Sequence, residues 1–147
     1  MGNIYGVAQP LATPAVYVNT ADVTLTAGTE ETIITTGALT ALNPGTYIPL
    51  IWLYANILMG ASLPSALQFA FKLGSGSDVD TQVVDVADAT ASKGWQYAVP
   101  LIGVASATAW VGSGSTINIT ATATTNAATF KYATSRALVL LLRVDDA

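Results

Sequence analysis

The sequence contains no cysteine and no histidine among its 147 residues. Without cysteine, the chain forms no disulfide bond and offers no thiol nucleophile or thiolate metal ligand. Without histidine, it lacks the general base of a Ser-His hydrolase and the imidazole ligand common in zinc, iron and copper sites. We therefore predict that the protein is not an enzyme and that it carries no metal or other cofactor.

Charge is also scarce. Lys, Arg, Asp and Glu make up 10% of the residues, whereas an ordinary soluble domain has roughly 25%. Five basic residues and a net charge of −4 do not supply the clustered cations that a nucleic-acid groove requires. The hydrophobic fraction is 52%, so the chain can bury enough apolar surface to fold. The length predicts one folded domain. The scarcity of basic residues predicts that this domain binds no nucleic acid.

One long stretch needs to be tested as a membrane span, because no charged residue occurs between Glu31 and Lys72. Its most apolar part, residues 47–63, is close to the roughly 17–25 residues of a transmembrane helix. Pro49 and Asn56 interrupt this segment, and neither flank carries the Lys and Arg that set membrane topology. We predict that the protein does not contact a membrane.

The hydrophobic pattern has a period of two. Residues 67–73 alternate large apolar side chains with Gln, Ala and Lys, and residues 115–124 alternate Ile or Ala with Thr or Asn. This is the pattern of a β-strand with one buried face. The sequence predicts about eight strands from nine candidate segments. Besides these two, the candidates are residues 23–27, 31–36, 47–58, 79–87, 95–110 with a break at Pro100, 137–144, and a short edge strand at 16–18.

Turn residues separate the predicted strands. The sequence Gly-Ser-Gly-Ser occurs at residues 74–77 and again at residues 112–115. Glycine supplies the positive φ that tight hairpins need, so we interpret both as turns rather than as phosphate-binding loops, which require a following helix. Many short strands with regular turns indicate an all-β fold, an antiparallel sandwich or barrel.

Two predicted strands are apolar on both faces. Residues 47–58 alternate Ile48, Leu50, Trp52 and Tyr54 with a second apolar set, and residues 137–144 are almost wholly aliphatic. An antiparallel sheet usually has one polar face, so the outer side of these strands needs a cover. We predict a homo-oligomer whose interface contains Ile48, Leu50, Trp52, Tyr54, Leu138, Leu140 and Leu142. The alternative is that loops and the N-terminal segment of the same chain cover them.

The first 21 residues differ in composition from the rest. They carry two prolines among small and polar residues and no charge, which is typical of an extended segment. We divide the chain into an extended N-terminal arm at 1–21 and a β-sandwich domain at 22–147. The arm is either a passive tail or a partner-binding segment; we favour the second, with anchors at Ile4, Tyr5, Val7, Leu11, Val16 and Tyr17.

Two further clusters have a functional and a structural interpretation. Asp78, Asp80, Asp85 and Asp88 either bind Ca²⁺ or form a solvated strand edge, and we favour the edge because the spacing is not that of an EF-hand loop. The aromatic side chains form either a sugar-binding platform or anchors of the core and the interface, and we favour anchors. They are Trp52, Trp95, Trp110, Tyr47, Tyr54 and Tyr97.

The whole pattern resembles that of small jelly-roll proteins of phage virions, similar in fold to the heads of tumour necrosis factor and C1q. The resemblance covers nearly the whole chain after Asp22 and is carried by four segments, at residues 23–30, 43–47, 69–74 and 114–120. It implies a jelly-roll-like β-sandwich and a trimer on the outer surface of a capsid, bound to the major capsid protein and stabilising the head as a decoration protein. The alternatives are a receptor- or glycan-binding tip of a phage fibre or spike, and another β-sandwich structural subunit.

Overall fold

The computed structural model describes residues 9–10, 15–39, 45–103, 108–110 and 116–144. Within this part of the chain there are twelve strands, all paired antiparallel in two sheets, and one short 3₁₀ turn at Tyr132–Thr134. The strands are β1 (Gln9–Pro10), β2 (Ala15–Tyr17), β3 (Val23–Leu25), β4 (Glu30–Thr35), β5 (Gly45–Met59), β6 (Leu67–Leu73), β7 (Asp78–Val84), β8 (Gly94–Ile102), β9 (Thr108–Trp110), β10 (Ile117–Ala123), β11 (Ala128–Phe130) and β12 (Arg136–Arg143).

Sheet A is organised around β5, which is 15 residues long. One side of β5 pairs with β12 and then β11, and its other side pairs with β8 and β9. The N-terminal strands extend sheet A at its edges: β1 and β2 pair with β12, and β3 pairs with β11. Sheet B contains the other four strands in the order β4-β10-β6-β7.

The core lies between the two sheets. Alternate residues of β5, from Tyr47 to Met59, are buried against the inward-facing residues of β6 and β10. Phe69 and Phe71 on β6 and Phe130 on β11 are among the largest fully buried side chains. Sheet A thus turns one set of β5 side chains inward and leaves the other set on its outer surface, as strand alternation requires.

The all-β prediction is confirmed, and the two packed antiparallel sheets form a β-sandwich. The predicted strand at residues 95–110 is broken, although not at Pro100. Pro100 lies inside β8 opposite Trp52, and β8 ends two residues later at Ile102. A proline is tolerated here because β8 has a hydrogen-bonded neighbour in sheet A on one side only.

The structure differs from the sequence analysis in two further ways. The sequence did not predict β11, whose three residues are too few to show a period. Thr120 was expected on a solvated strand face, yet only 3% of it is exposed. Within the described part of the chain, no helix has the length and apolarity needed to cross a bilayer.

Candidate interaction surface

The outer surface of sheet A carries a continuous set of apolar side chains, here called the apolar face. β5 and β12 contribute most of it, because their outward-pointing residues are as apolar as their inward-pointing ones. Neighbouring strands on both sides extend it. Its members are Val16, Ile48, Leu50, Trp52, Tyr54, Pro100, Ile102, Leu138, Leu140 and Leu142.

The strand register aligns these side chains in rows across the sheet. In the central row Trp52 has Pro100 on one side and Leu138 on the other, and Leu138 is followed by Val16. The adjacent row contains Ile102, Leu50 and Leu140. Side chains directly opposite in an antiparallel ladder are in contact distance, so the two rows form one patch rather than scattered apolar positions.

Much of this patch is accessible in the single chain. Trp52 is 53% exposed, Val16 60%, Ile102 43% and Leu138 40%. Soluble monomers rarely expose a contiguous apolar patch of this kind, and where they do it marks an interaction site. The outer side chains of β5 and β12 are therefore not covered by the described part of the chain, although they are apolar enough to require burial.

The surface of the patch is not flat, because it contains two hollows beside a projecting side chain. A hollow of about 270 Å³ lies between Leu50, Pro100, Ile102, Leu138 and Leu140. Trp52 borders this hollow and also a second one of about 540 Å³, which reaches Val16 and Arg136. A half-exposed tryptophan beside an apolar hollow gives the face both a projection and a recess.

Polar groups border one end of the apolar face. Tyr54 donates its hydroxyl hydrogen to Gln96 Oε1 on β8. Asn56, two residues further along β5, donates from Nδ2 to Thr134 Oγ1 at 2.8 Å, while its buried Oδ1 has no partner in the described part of the chain. The surface thus changes from apolar to hydrogen-bonding along β5, as the centre and rim of a protein interface do.

All seven residues that the sequence assigned to an interface lie on this face. Three members were not assigned there: Pro100, Ile102 and Val16. Pro100 and Ile102 share one side of β8 by alternation, but only the register with β5 brings them beside Trp52 and Leu50. The period of the sequence predicts on which side of a strand a residue lies. It does not predict which residue of the adjacent strand lies beside it.

The predicted arm residues fall in two groups. Val16 joins the apolar face, and Tyr17 packs against the core of its own chain, because β2 pairs with β12 of the same chain. Within residues 1–21, β1 and β2 are therefore edge strands of sheet A. Ile4, Tyr5, Val7 and Leu11 lie outside the described residues.

The acidic cluster is divided among separate contacts. Asp78 lies 3.8 Å from Lys72 Nζ, and Asp85 accepts a hydrogen bond from the backbone N–H of Ala87 at 2.8 Å. Asp80 links the sheets, since its Oδ2 accepts from the backbone N–H of Ile102 on β8 at 2.8 Å. Asp88 is exposed. In the described ranges no three acidic side chains come together as metal ligands.

The aromatic residues do not form one platform. Tyr47 is fully buried, and the Tyr97 ring lies 6.1 Å from that of Phe69, between the sheets. Burial raises the pKa of Tyr97, and the nearby Asp85 carboxylate raises it further. Only Trp52 and Tyr54 of the six lie together on the apolar face; the side chain of Trp110 is outside the described residues.

Comparisons with known proteins support the fold alone. No family model and no curated protein matches the chain. The structure of Eiger TNF from S. frugiperda superposes with a TM-score of 0.50 at 12% identity, covering 95% of this chain and 96% of that one. The structure of infectious bursal virus derived T=1 particles gives a TM-score of 0.42 at 11% identity, covering 91% of this chain and 37% of that one. A CBM4 structure gives 0.38 at 10%, covering 91% and 94%.

Proposed function

We propose that this chain is a structural protein of a virion, a decoration protein that associates with copies of itself through the apolar face and stabilises the outer surface of a capsid. The exposure of the apolar face carries the proposal. An interface that is permanently covered tolerates this composition, because obligate interfaces resemble a domain core. The jelly-roll β-sandwich supplies a rigid scaffold, and the virion setting comes from the resemblance stated above.

The projection and the hollow on the apolar face support self-association in particular. Trp52 projects beside the hollow formed by Leu50, Pro100 and Ile102, so one surface presents both halves of a contact. A closed ring of three copies needs two different contact surfaces on each copy, one for the next copy and one for the previous copy, and the projection and the hollow supply them. We infer a homotrimer, in which Trp52 of each copy enters the hollow of the next one, as tryptophan commonly anchors the centre of an interface.

The N-terminal segment supplies the proposed contact with the major capsid protein. β1 and β2 pair with β12 of the same chain, so residues 9–10 and 15–17 belong to the sandwich. Ile4, Tyr5, Val7 and Leu11 are the proposed anchors on the capsid. Residues 22–147, together with β1 and β2, would then form the oligomeric body.

Two measurements test this proposal. Light scattering combined with size-exclusion chromatography should give the mass of an oligomer, and co-sedimentation with capsids of the virus that encodes the chain should recover the protein in the pellet. Removal of residues 1–8, which leaves β1 and β2 intact, should reduce the pelleted fraction without changing the oligomer mass. A monomer that stays in the supernatant would overturn the proposal.

A further inference from the structure

The outer face of sheet B contains a polar cleft that the proposed function does not use. It has a volume of about 500 Å³ and is lined by eight residues of β4, β6, β10 and adjacent turns, within the roughly 300–1,000 Å³ of small-molecule sites. Sheet B lies on the opposite side of the sandwich from the apolar face, so oligomerisation leaves the cleft open. The lining residues are Glu30, Thr32, Lys72, Gly74, Ser75, Thr116, Asn118 and Thr120.

Thr120 gives this cleft an unsatisfied polar group. Its side chain is on the outer side of β10, between Thr32 on β4 and Ala70 on β6. Thr120 is nevertheless 3% exposed, and its Oγ1 has no hydrogen-bond partner among the described residues. A buried hydroxyl without a partner carries a desolvation cost, which a bound ligand or water relieves.

An ion pair explains why Thr120 is covered. Lys72 lies two residues beyond Ala70 on β6, and Glu30 lies two residues before Thr32 on β4. The ammonium of Lys72 and the carboxylate of Glu30 bond to each other, so these long side chains cross β10 diagonally above Thr120. Both are partly exposed, and ion pairs of this kind hold weakly. The pair can therefore open when a ligand offers other hydrogen bonds.

The charges in the cleft favour a neutral ligand. Lys72 is shared between Glu30 and Asp78, so a phosphate or carboxylate would meet two carboxylates beside one ammonium. The other lining groups are hydroxyls and the Asn118 amide, whose Nδ2 donates to the Gly74 carbonyl at 2.8 Å. Its Oδ1 is left as an acceptor. This arrangement of donors and acceptors matches a ligand bearing several hydroxyl groups.

We propose that the cleft binds a neutral saccharide through Thr120, Asn118 and the opened Lys72–Glu30 pair. No aromatic side chain is among the lining residues, so hydrogen bonds exchanged with water supply the affinity. Their net contribution is small, and the expected dissociation constant is millimolar.

The test is titration of the full chain with glucose, galactose, N-acetylglucosamine and rhamnose, followed through backbone amide chemical shifts. At least one sugar should shift the amides of Gly74, Ser75 and Thr120 in a saturable way. Thr120→Val, which removes the unsatisfied hydroxyl, and Asn118→Leu should each weaken that binding several-fold. Thr129→Val on sheet A is the matched control and should bind as the wild type does.

Stability separates a binding role from a structural one. Thr120→Val should unfold at the same temperature as the wild type or a higher one, because the hydroxyl it removes has no partner within the described ranges. The proposal is overturned if none of the four sugars shifts the cleft amides. It is equally overturned if both cleft variants bind as tightly as the wild type, or if the shifts map to the apolar face. Each outcome is independent of whether the protein oligomerises.

Discussion

Trp52 and Leu138 face each other directly across the ladder between β5 and β12, and each has a large exposed fraction. The pair lies at the centre of the apolar face, with Pro100 and Val16 continuing the row on either side. A cross-strand pair of this kind stabilises a sheet by contact between the two side chains. Here the same contact builds the middle of a surface that a second copy can cover.

Replacing Trp52 by alanine should dissociate the oligomer. The substitution removes the projection that we propose fills the hollow of the neighbouring copy, and central tryptophans of interfaces cost about 2 kcal/mol or more when truncated. This corresponds to roughly a 30-fold increase in the dissociation constant. Sedimentation equilibrium over a range of protein concentrations measures it.

Trp95 provides the matched control for this substitution. It is also partly exposed, but it pairs with the buried Ile57 and so lies on the other side of the alternation from Trp52. Trp95→Ala should leave the association constant unchanged, while circular dichroism reports whether each variant is folded. Equal effects of the two alanine substitutions would contradict an interface centred on Trp52.

The parts of the fold that the sequence predicted are those that depend on alternation alone. Residues 67–73 show a strict period of two and form β6 at those limits. The apolar runs around Trp52 and Leu138 predicted strands with two apolar sides, and β5 and β12 have this composition on both faces. In β6 the buried side follows from the strand's own residues, whereas the similar composition of both faces of β5 and β12 does not tell which face is exposed.

The parts that were missed depend on contacts between distant residues. Thr120 is buried because Lys72 and Glu30, from two other strands, bond above it. Val16 belongs to the apolar face because β2 pairs with β12, more than a hundred residues later in the chain. Neither pairing leaves a local signal in the sequence.

Asp80 should contribute measurably to stability through its two backbone hydrogen bonds. Its carboxylate accepts from the N–H of Ile102 at 2.8 Å and from that of Thr81 at 2.9 Å. Asp80→Ala should lower the free energy of unfolding by about 0.5–1.5 kcal/mol, the net contribution of a typical hydrogen bond, because water can reach these donors once the carboxylate is removed. Asp80→Asn keeps one acceptor oxygen and should lose less. Urea denaturation measures both, and Asp88→Ala at an exposed site is the control; equal stability of all three variants would refute the role.

Asp22 should make part of the stability depend on acid pH. The hydrogen bond from Lys131, and a weaker one from the backbone N–H of Tyr132, lower the pKa of Asp22 below its ordinary 3.8. The folded state therefore favours the carboxylate, so this stabilisation is complete well above pH 3.8 and is lost as the pH falls through the lowered pKa. Denaturation from about pH 6 down to about pH 2.5 should show a shallower loss in Asp22→Asn than in the wild type. Identical slopes would exclude a contribution from this pair.

Tyr97 should make the free energy of unfolding decrease at alkaline pH, the opposite direction from the effect of Asp22. Burial, and secondarily the Asp85 carboxylate, raise the pKa of Tyr97 above its ordinary 10.0, and its hydroxyl has no partner among the described residues. The unfolded chain loses this proton first, so the stability is complete below pH 10.0 and falls as the pH rises towards the raised pKa.

The Tyr97→Phe substitution separates the two consequences of this burial. It removes an unsatisfied hydroxyl from between the sheets, so near neutral pH the variant should be as stable as the wild type or more stable. Above pH 10.0, its unfolding free energy should fall less steeply than that of the wild type. The ultraviolet absorbance of tyrosinate should also show a late-titrating contribution from Tyr97 in the wild type that is missing from the variant. Tyr132→Phe, at an exposed position, is the control, and a late-titrating group that survives in Tyr97→Phe would show that the group is a different tyrosine.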